Sequence, residues 1–161
     1  MFLSQMFNSV NLSIQEKMVD ELLESNQKIQ GSGLILTRAE IKHMIAVRNK
    51  ALQDYGRVEL GFDVTKELME VFCSSPYIHG ENYASTLNEL HELFYHLRNE
   101  TEDRVGDLKL IHLMKEYFDG DCGGSLELLK SELEDFTRNF RRDGLDDEIP
   151  EGDDPYWKLK T

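Results

Sequence analysis

NYASTLNELHELFYHLRNE, residues 82–100, holds no glycine or proline, and its apolar residues alternate spacings of four and three. Tyr83, Leu87, Leu90, Phe94 and Leu97 therefore line one narrow face of a helix. Asn82 stands where an N-cap belongs. NETEDRVG (99–106) ends the pattern. The same stretch carries HELFYH (91–96), which invites comparison with the zinc-protease helix H-E-x-x-H. Tyr95 occupies the place of the second histidine. His91 and His96 are five apart, about 140° around the helix, and cannot share one ion. His91 flanks the apolar face and reads as a half-buried packing residue; His96 reads as a solvated one.

Working outward, Asp107 opens a helix with Leu110, Ile111, Met114, Tyr117 and Phe118 inward, and Ser125 opens another with Leu126, Leu129, Leu133, Phe136 and Phe140 inward. On the other side, Thr37 and Glu40 have capping-box spacing ahead of Ile41, Met44, Ile45, Leu52 and Tyr55, and Gly56 suits the C′ position. Asp63 or Thr65 can cap a short helix bearing Leu68, Val71 and Phe72, which must end before Pro76. A first helix is expected over 14–28, with Ser13 and Glu16 as its capping box and Met18, Leu22 and Ile29 on one face. LIL (34–36) and RVEL (57–60) are either a small strand pair or extended connectors. The expectation is one all-α domain of about six helices over 1–140, with room for a minor two-stranded element. From Arg141 the periodicity is lost, and RRDGLDDEIPEGDDPYWKLKT reads as an acidic, irregular tail over 141–161. Trp157, the only tryptophan, sits there beside Tyr156 and serves either as a docking motif or as an anchor back onto the domain.

The 161 residues suit one domain and a tail. Acidic residues outnumber basic ones 31 to 18, for a formal net charge of -13. Such a field repels nucleic-acid backbones and anionic membrane surfaces and is compatible with a basic protein partner. Two cysteines, Cys73 and Cys122, do not make a disulfide scaffold. The opening MFLSQMFNSV lacks the basic region of a secretory signal, and no stretch reaches the ~20 apolar residues of a membrane helix. A cytoplasmic setting follows as the expectation.

Between the last two helices lies FDGDCGGSLELL (118–129), the one stretch that looks chemical. As an EF-hand it would begin at Asp119, with Asp121 third and Gly124 sixth. Its fifth position is Gly123 and its twelfth Lys130, where a bidentate glutamate belongs. It does not follow the phosphate-loop order. The amides of Gly123, Gly124 and Ser125 suit an anion, but Asp119 and Asp121 oppose one. A helix N-terminus lowers the pKa of Cys122 while neighbouring carboxylates raise it, and the nearest histidine in sequence, His112, is on the order of 10 Å away along the preceding helix. As a joint, the stretch is explained more fully: Gly120 takes a left-handed C′ position and Ser125 caps the next helix. The extra Gly-Gly then marks a close approach of other chain. Of the E-x-x-H pairs that a di-iron site needs twice, only Glu40–His43 is present. Serine-hydrolase elbows, dinucleotide fingerprints and C-x-x-C pairs are missing.

FCSSPYI (72–78), NELHELFY (88–95), GRVELG (56–61) and FDGDCGGSLELL together resemble a family of short bacterial proteins of unknown function, over roughly residues 30–136. The resemblance implies a soluble bacterial protein and carries no activity or cofactor with it. Two functions remain open. One is a non-enzymatic interaction or accessory protein with a protein partner, needing no catalytic residue, metal or cofactor. The other is an enzyme or small-ligand binder whose site is the loop 119–125, with Asp121, Cys122, Gly123, Gly124 and Ser125 as ligand-binding residues.

Overall fold

The computed structural model describes residues 2–29 and 33–143. Six helices follow in order: α1 Phe2–Gln27, α2 Arg38–Asp54, α3 Asp63–Phe72, α4 Tyr83–Glu100, α5 Asp107–Asp119 and α6 Leu126–Asp143. No strand occurs among the described residues. The architecture is the all-α single domain that the apolar spacing implies, and no described helix is long and apolar enough to cross a membrane.

The narrow stripe of residues 83–97 makes α4 the centre of the fold. Tyr83, Leu87, Leu90 and Phe94 are fully buried, and α4 packs against α2, α3, α5 and α6. Each such side chain removed from water contributes about 1.5–3 kcal/mol before the entropy of ordering it is counted. Around α4 the core continues through Ile41, Met44 and Ile45 of α2, Leu68 and Phe72 of α3, Leu110, Ile111 and Met114 of α5, and Leu129, Leu133 and Phe140 of α6. Phe72 meets Phe118 edge to face, with centroids 5.6 Å apart, which ties the ends of α3 and α5 together.

The capping box of α2 forms as its spacing predicts. Thr37 Oγ1 accepts from the Glu40 amide at 3.1 Å, and Glu40 Oε1 accepts from the Thr37 amide at 2.8 Å. Gly56 follows in the left-handed region at φ 64°, as a C′ glycine should. Three expected caps take other forms. α1 runs through Ser13 instead of starting there, since no glycine or proline precedes Gly31 to stop it. Asp63 is the first residue of α3 rather than its cap, and Thr65 lies inside the helix. Asn82 is at the N-cap of α4, but its side chain is taken by the preceding loop: it accepts from the His79 amide at 2.8 Å and donates to the Tyr77 carbonyl at 3.1 Å.

Residues 34–36 and 57–60 are extended connectors without a strand pair. In the first, Leu34 and Leu36 point inward and Ile35 outward. In the second the polarity is inverted. Val58 and Leu60 are 87% and 91% exposed, while Arg57 and Glu59 hold the segment down. Arg57 forms a bidentate pair with Asp103 at 2.8 and 2.7 Å, and Arg98 donates to Glu59 at 3.0 Å. The carbonyls of Glu59 and Gly61 accept from the buried Arg48 at 2.8 and 2.5 Å. Asp103 is at φ 60° and its neighbour Glu102 at φ 56°, so this brace holds two non-glycine residues in the left-handed region.

Arg141, Arg142 and Asp143 continue α6 and do not begin the tail. Two cations in a last turn suit the helix dipole, and Arg141 reaches Glu100 at 3.4 Å. The remainder of the expected tail, residues 144–161, lies outside the described residues, as does the QGS segment, 30–32.

Candidate functional site

The glycine loop is held by its own backbone and by the turn that ends α3. The amides of Gly123, Gly124 and Ser125 donate to the carbonyls of Gly120, Phe118 and Cys122 at 3.1, 2.8 and 3.0 Å. None of the three is left to face an anion. The left-handed conformation expected at Gly120 falls instead on Gly123 and Gly124, at φ 56° and 83°. Gly120 itself has φ -90° and ψ -112°. The chain winds on beyond α5 before it reverses, with the Cys122 amide bonded to the Tyr117 carbonyl at 3.1 Å. Ser125 caps α6, its Oγ accepting from the Leu128 amide at 3.2 Å.

The close neighbour of Gly124 is Tyr77, from the turn 73–77, whereas Gly123 faces open space. A Cβ on Gly124 would stand 2.5 Å from Tyr77 Cβ and 2.6 Å from its Cγ. Tyr77 also lies edge-on to Phe118, with centroids 6.3 Å apart. Beside them Ser75, 5% exposed, donates to Asp119 Oδ1 at 2.7 Å, and Lys115 pairs with Asp119 Oδ2 at 2.7 Å. The carboxylate at the first position of the partial EF-hand match is thus occupied on both oxygens by protein. Among the described residues no three His, Cys, Asp or Glu side chains gather as a metal would require.

Cys122 is 3% exposed within this joint. Burial first, then Glu132 and Asp121, push its thiol pKa up, away from the thiolate that a nucleophile needs. Cys73 is half-exposed at the C-cap of α3 and donates to the Glu70 carbonyl at 3.1 Å. Burial raises its pKa as well, reinforced by Glu70 and opposed by Lys115. Of the five loop residues named from sequence, then, Cys122 is core and Gly123 and Gly124 shape the turn. Asp121 is exposed, and Ser125 is a cap.

His91 is fully buried, not half-buried. Its Nδ1 is 2.7 Å from the Leu87 carbonyl, which can only accept, so Nδ1 carries the proton. Nε2 of the neutral ring is then the acceptor for Thr65 Oγ1 at 2.9 Å. Both nitrogens are used, and burial pushes the pKa down from 6.5 to about 4, with the Leu87 carbonyl opposing and Arg48 assisting. This explains why Thr65 is buried in α3 instead of capping it. His96 is also held: its Nδ1 is 2.8 Å from the Tyr55 hydroxyl.

A groove of about 660 Å³ begins where the glycine loop ends. It runs between α4 and α6, lined by Glu89, Glu92, Leu93 and His96 on one side and by Ser125, Leu126, Glu127, Lys130 and Glu134 on the other. The two leucines are half-buried; the four glutamates and Lys130 are exposed. None of the four glutamate side chains has an ion-pair partner among the described residues. The spacing Glu89–Glu92 and Leu93–His96 puts these residues on the outer side of α4, next to its buried stripe. The sequence shows that face as polar, but not that α6 runs beside it.

Fold and groove together define an all-α domain of six helices with an acid-rimmed cleft between α4 and α6. The chain belongs to DUF6323, a family of unknown function, whose model matches residues 21–146. No curated protein and no solved structure matches it.

Proposed function

We propose that this chain is a non-enzymatic interaction or accessory protein of the bacterial cytoplasm, and that it docks a basic, apolar-spaced segment of a partner protein in the groove between α4 and α6. The observation that carries this reading is the placement of four carboxylates, Glu89, Glu92, Glu127 and Glu134, without an ion-pair partner among the described residues, around Leu93 and Leu126. Apolar anchors between the leucines bury area, and lysines or arginines meet the rim, so affinity and orientation come from different contacts. The net charge of -13 steers such a partner inward and keeps nucleic acid and anionic lipid away. The alternative, a ligand site at 119–125, has less to stand on, because the amides of Cys122, Gly123, Gly124 and Ser125 are spent on backbone carbonyls and the thiol is buried.

Titration of the 15N-labelled chain with a synthetic peptide of lysines and leucines at helical spacing tests the reading. Amide shifts confined to residues 89–96 and 125–134 support it. Shifts confined to 119–124, or no shifts at all, refute it.

A further inference from the structure

Resting on that reading of the groove, we infer that the docked segment is a helix of two to three turns, and that Lys130 fixes its register by pairing with one acidic residue set between the segment's cations. The walls of the groove decide the conformation. Residues 89–96 and 126–134 lie within α4 and α6, where each carbonyl is taken up by the amide four residues on. A strand finds no edge to join there, and an extended chain would bring its own backbone groups unpaired against Leu93 and Leu126. A helix satisfies its backbone internally and presents side chains alone. The walls run from 89 to 96 on α4 and from 125 to 134 on α6, about 10 and 14 Å at the helical rise, which is two to two and a half turns.

Lys130 decides the register. Glu127, Lys130 and Glu134 follow at i, i+3 and i+7, so they share the face of α6 that lines the groove. Elsewhere in the chain such spacings give ion pairs, Lys50 with Asp54 at 3.2 Å and Arg138 with Asp135 at 2.6 Å. Lys130 is exposed and pairs with neither glutamate, nor with any other carboxylate among the described residues. The α6 wall therefore presents an anion, a cation and an anion over about 10 Å. On α4 the carboxylates are Glu89 and Glu92, with His96 a turn further on. A segment bearing lysines alone would set a cation against Lys130. A carboxylate there, between cations for Glu127 and Glu134, matches all three. The pattern is cation, acid, cation at i, i+3 and i+7 for a helix running with α6, and at i, i+4 and i+7 for one running against it. Lys130 thus disfavours uniformly basic segments, and the groove selects among basic helices by that repulsion.

Three fluorescein-labelled peptides test this: the lysine–leucine helix, and two forms of it with glutamate three or four residues after the first lysine. One glutamate form should bind the unaltered chain about fivefold more tightly than the all-lysine peptide, since a repulsion becomes an attraction. General attraction to a chain of net charge -13 favours the all-lysine peptide and would give the opposite order. Lys130→Glu, at an exposed position, should reverse the preference while circular dichroism stays helical. A proline at the centre of the better peptide should weaken it by at least about tenfold. An all-lysine peptide that binds the unaltered chain as well as both glutamate forms overturns the register, and so does a preference that Lys130→Glu leaves unchanged. A proline form that binds undiminished overturns the helix. Each of these results leaves the docking function standing. Binding by none of the peptides defeats the function and the inference together.

Discussion

Gly124 has no room for a side chain because Tyr77 fills it: a Cβ there would stand 2.5 Å from that of Tyr77. Gly123, next to it, faces open space. The two glycines, identical in sequence and both left-handed, therefore differ in what a methyl group costs. Gly123→Ala should cost about 1–2 kcal/mol for the backbone alone. Gly124→Ala adds the displacement of Tyr77, a further 1–3 kcal/mol or so. Urea denaturation of the two variants compares them, and equal losses would mean that Tyr77 does not shape the joint.

The thiols should rank opposite to their sequence context. Cys122, in a glycine-rich loop, is buried, and Cys73, at the end of an apolar helix, is half-exposed. In the folded chain iodoacetamide should modify Cys73 first, and both more slowly than a free thiol, since burial raises both pKa values. Mass spectrometry of a timed alkylation gives the order. Rapid modification of Cys122 near neutral pH would reopen the loop as a reactive site.

His91 makes stability depend on pH. Its folded pKa is about 4 against the ordinary 6.5 of a histidine, so the unfolded chain takes up the proton first as pH falls. The contribution of the neutral ring is complete above about pH 6.5 and is lost on going down towards pH 4, at up to about 1.4 kcal/mol per unit. His91→Asn keeps a donor for the Leu87 carbonyl but does not titrate. Denaturation series across pH 4–7 should show a shallower decline in the variant than in the parent chain. Superimposable slopes would show that the buried imidazole is not the group responsible.

Arg48 is 3% exposed and lies over the Phe62 ring, 4.3 Å from its centroid. Arg48→Met keeps the stem but removes the donor to the Glu59 and Gly61 carbonyls and to the exposed Asn49 Oδ1, and with it the tie between α2 and the segment 57–61. The expected loss is about 2–4 kcal/mol. Arg48→Lys should recover only part, because an ammonium cannot reproduce the planar fork. A change of less than about 0.5 kcal/mol for Arg48→Met, the size of an ordinary surface substitution, would remove the arginine from the core's account.

What could be read from sequence was what local chemistry dictates. The stripe from Tyr83 to Leu97 and the capping box at Thr37 and Glu40 depend on neighbours within a turn or two, and both formed as their spacing requires. What could not be read depends on distant residues. Thr65 serves His91, twenty-six positions away, and Ser75 serves Asp119, forty-four away. RVEL is too short to decide between a strand pair and an extended connector, and it is the ion pairs to Arg98 and Asp103 that hold it with Val58 and Leu60 outward. The groove was hidden for the same reason: Glu92 and Glu134 share a rim only because α4 and α6 are neighbours. The surplus Gly-Gly was the one visible sign of a tertiary contact, and it lacked only the identity of Tyr77.

The docking groove itself is put at risk by a single titration, followed by fluorescence anisotropy, of the fluorescein-labelled lysine–leucine peptide into three chains: the unaltered protein, Glu92→Lys with Glu134→Lys, and the loop variant Asp121→Asn. The peptide should bind the first and third alike, more weakly as salt is added, and should lose at least about tenfold in affinity, ~1.4 kcal/mol, to the charge-reversed groove. Affinity that survives charge reversal at the groove but falls with Asp121→Asn would place the site at the glycine loop and refute the groove as the docking surface.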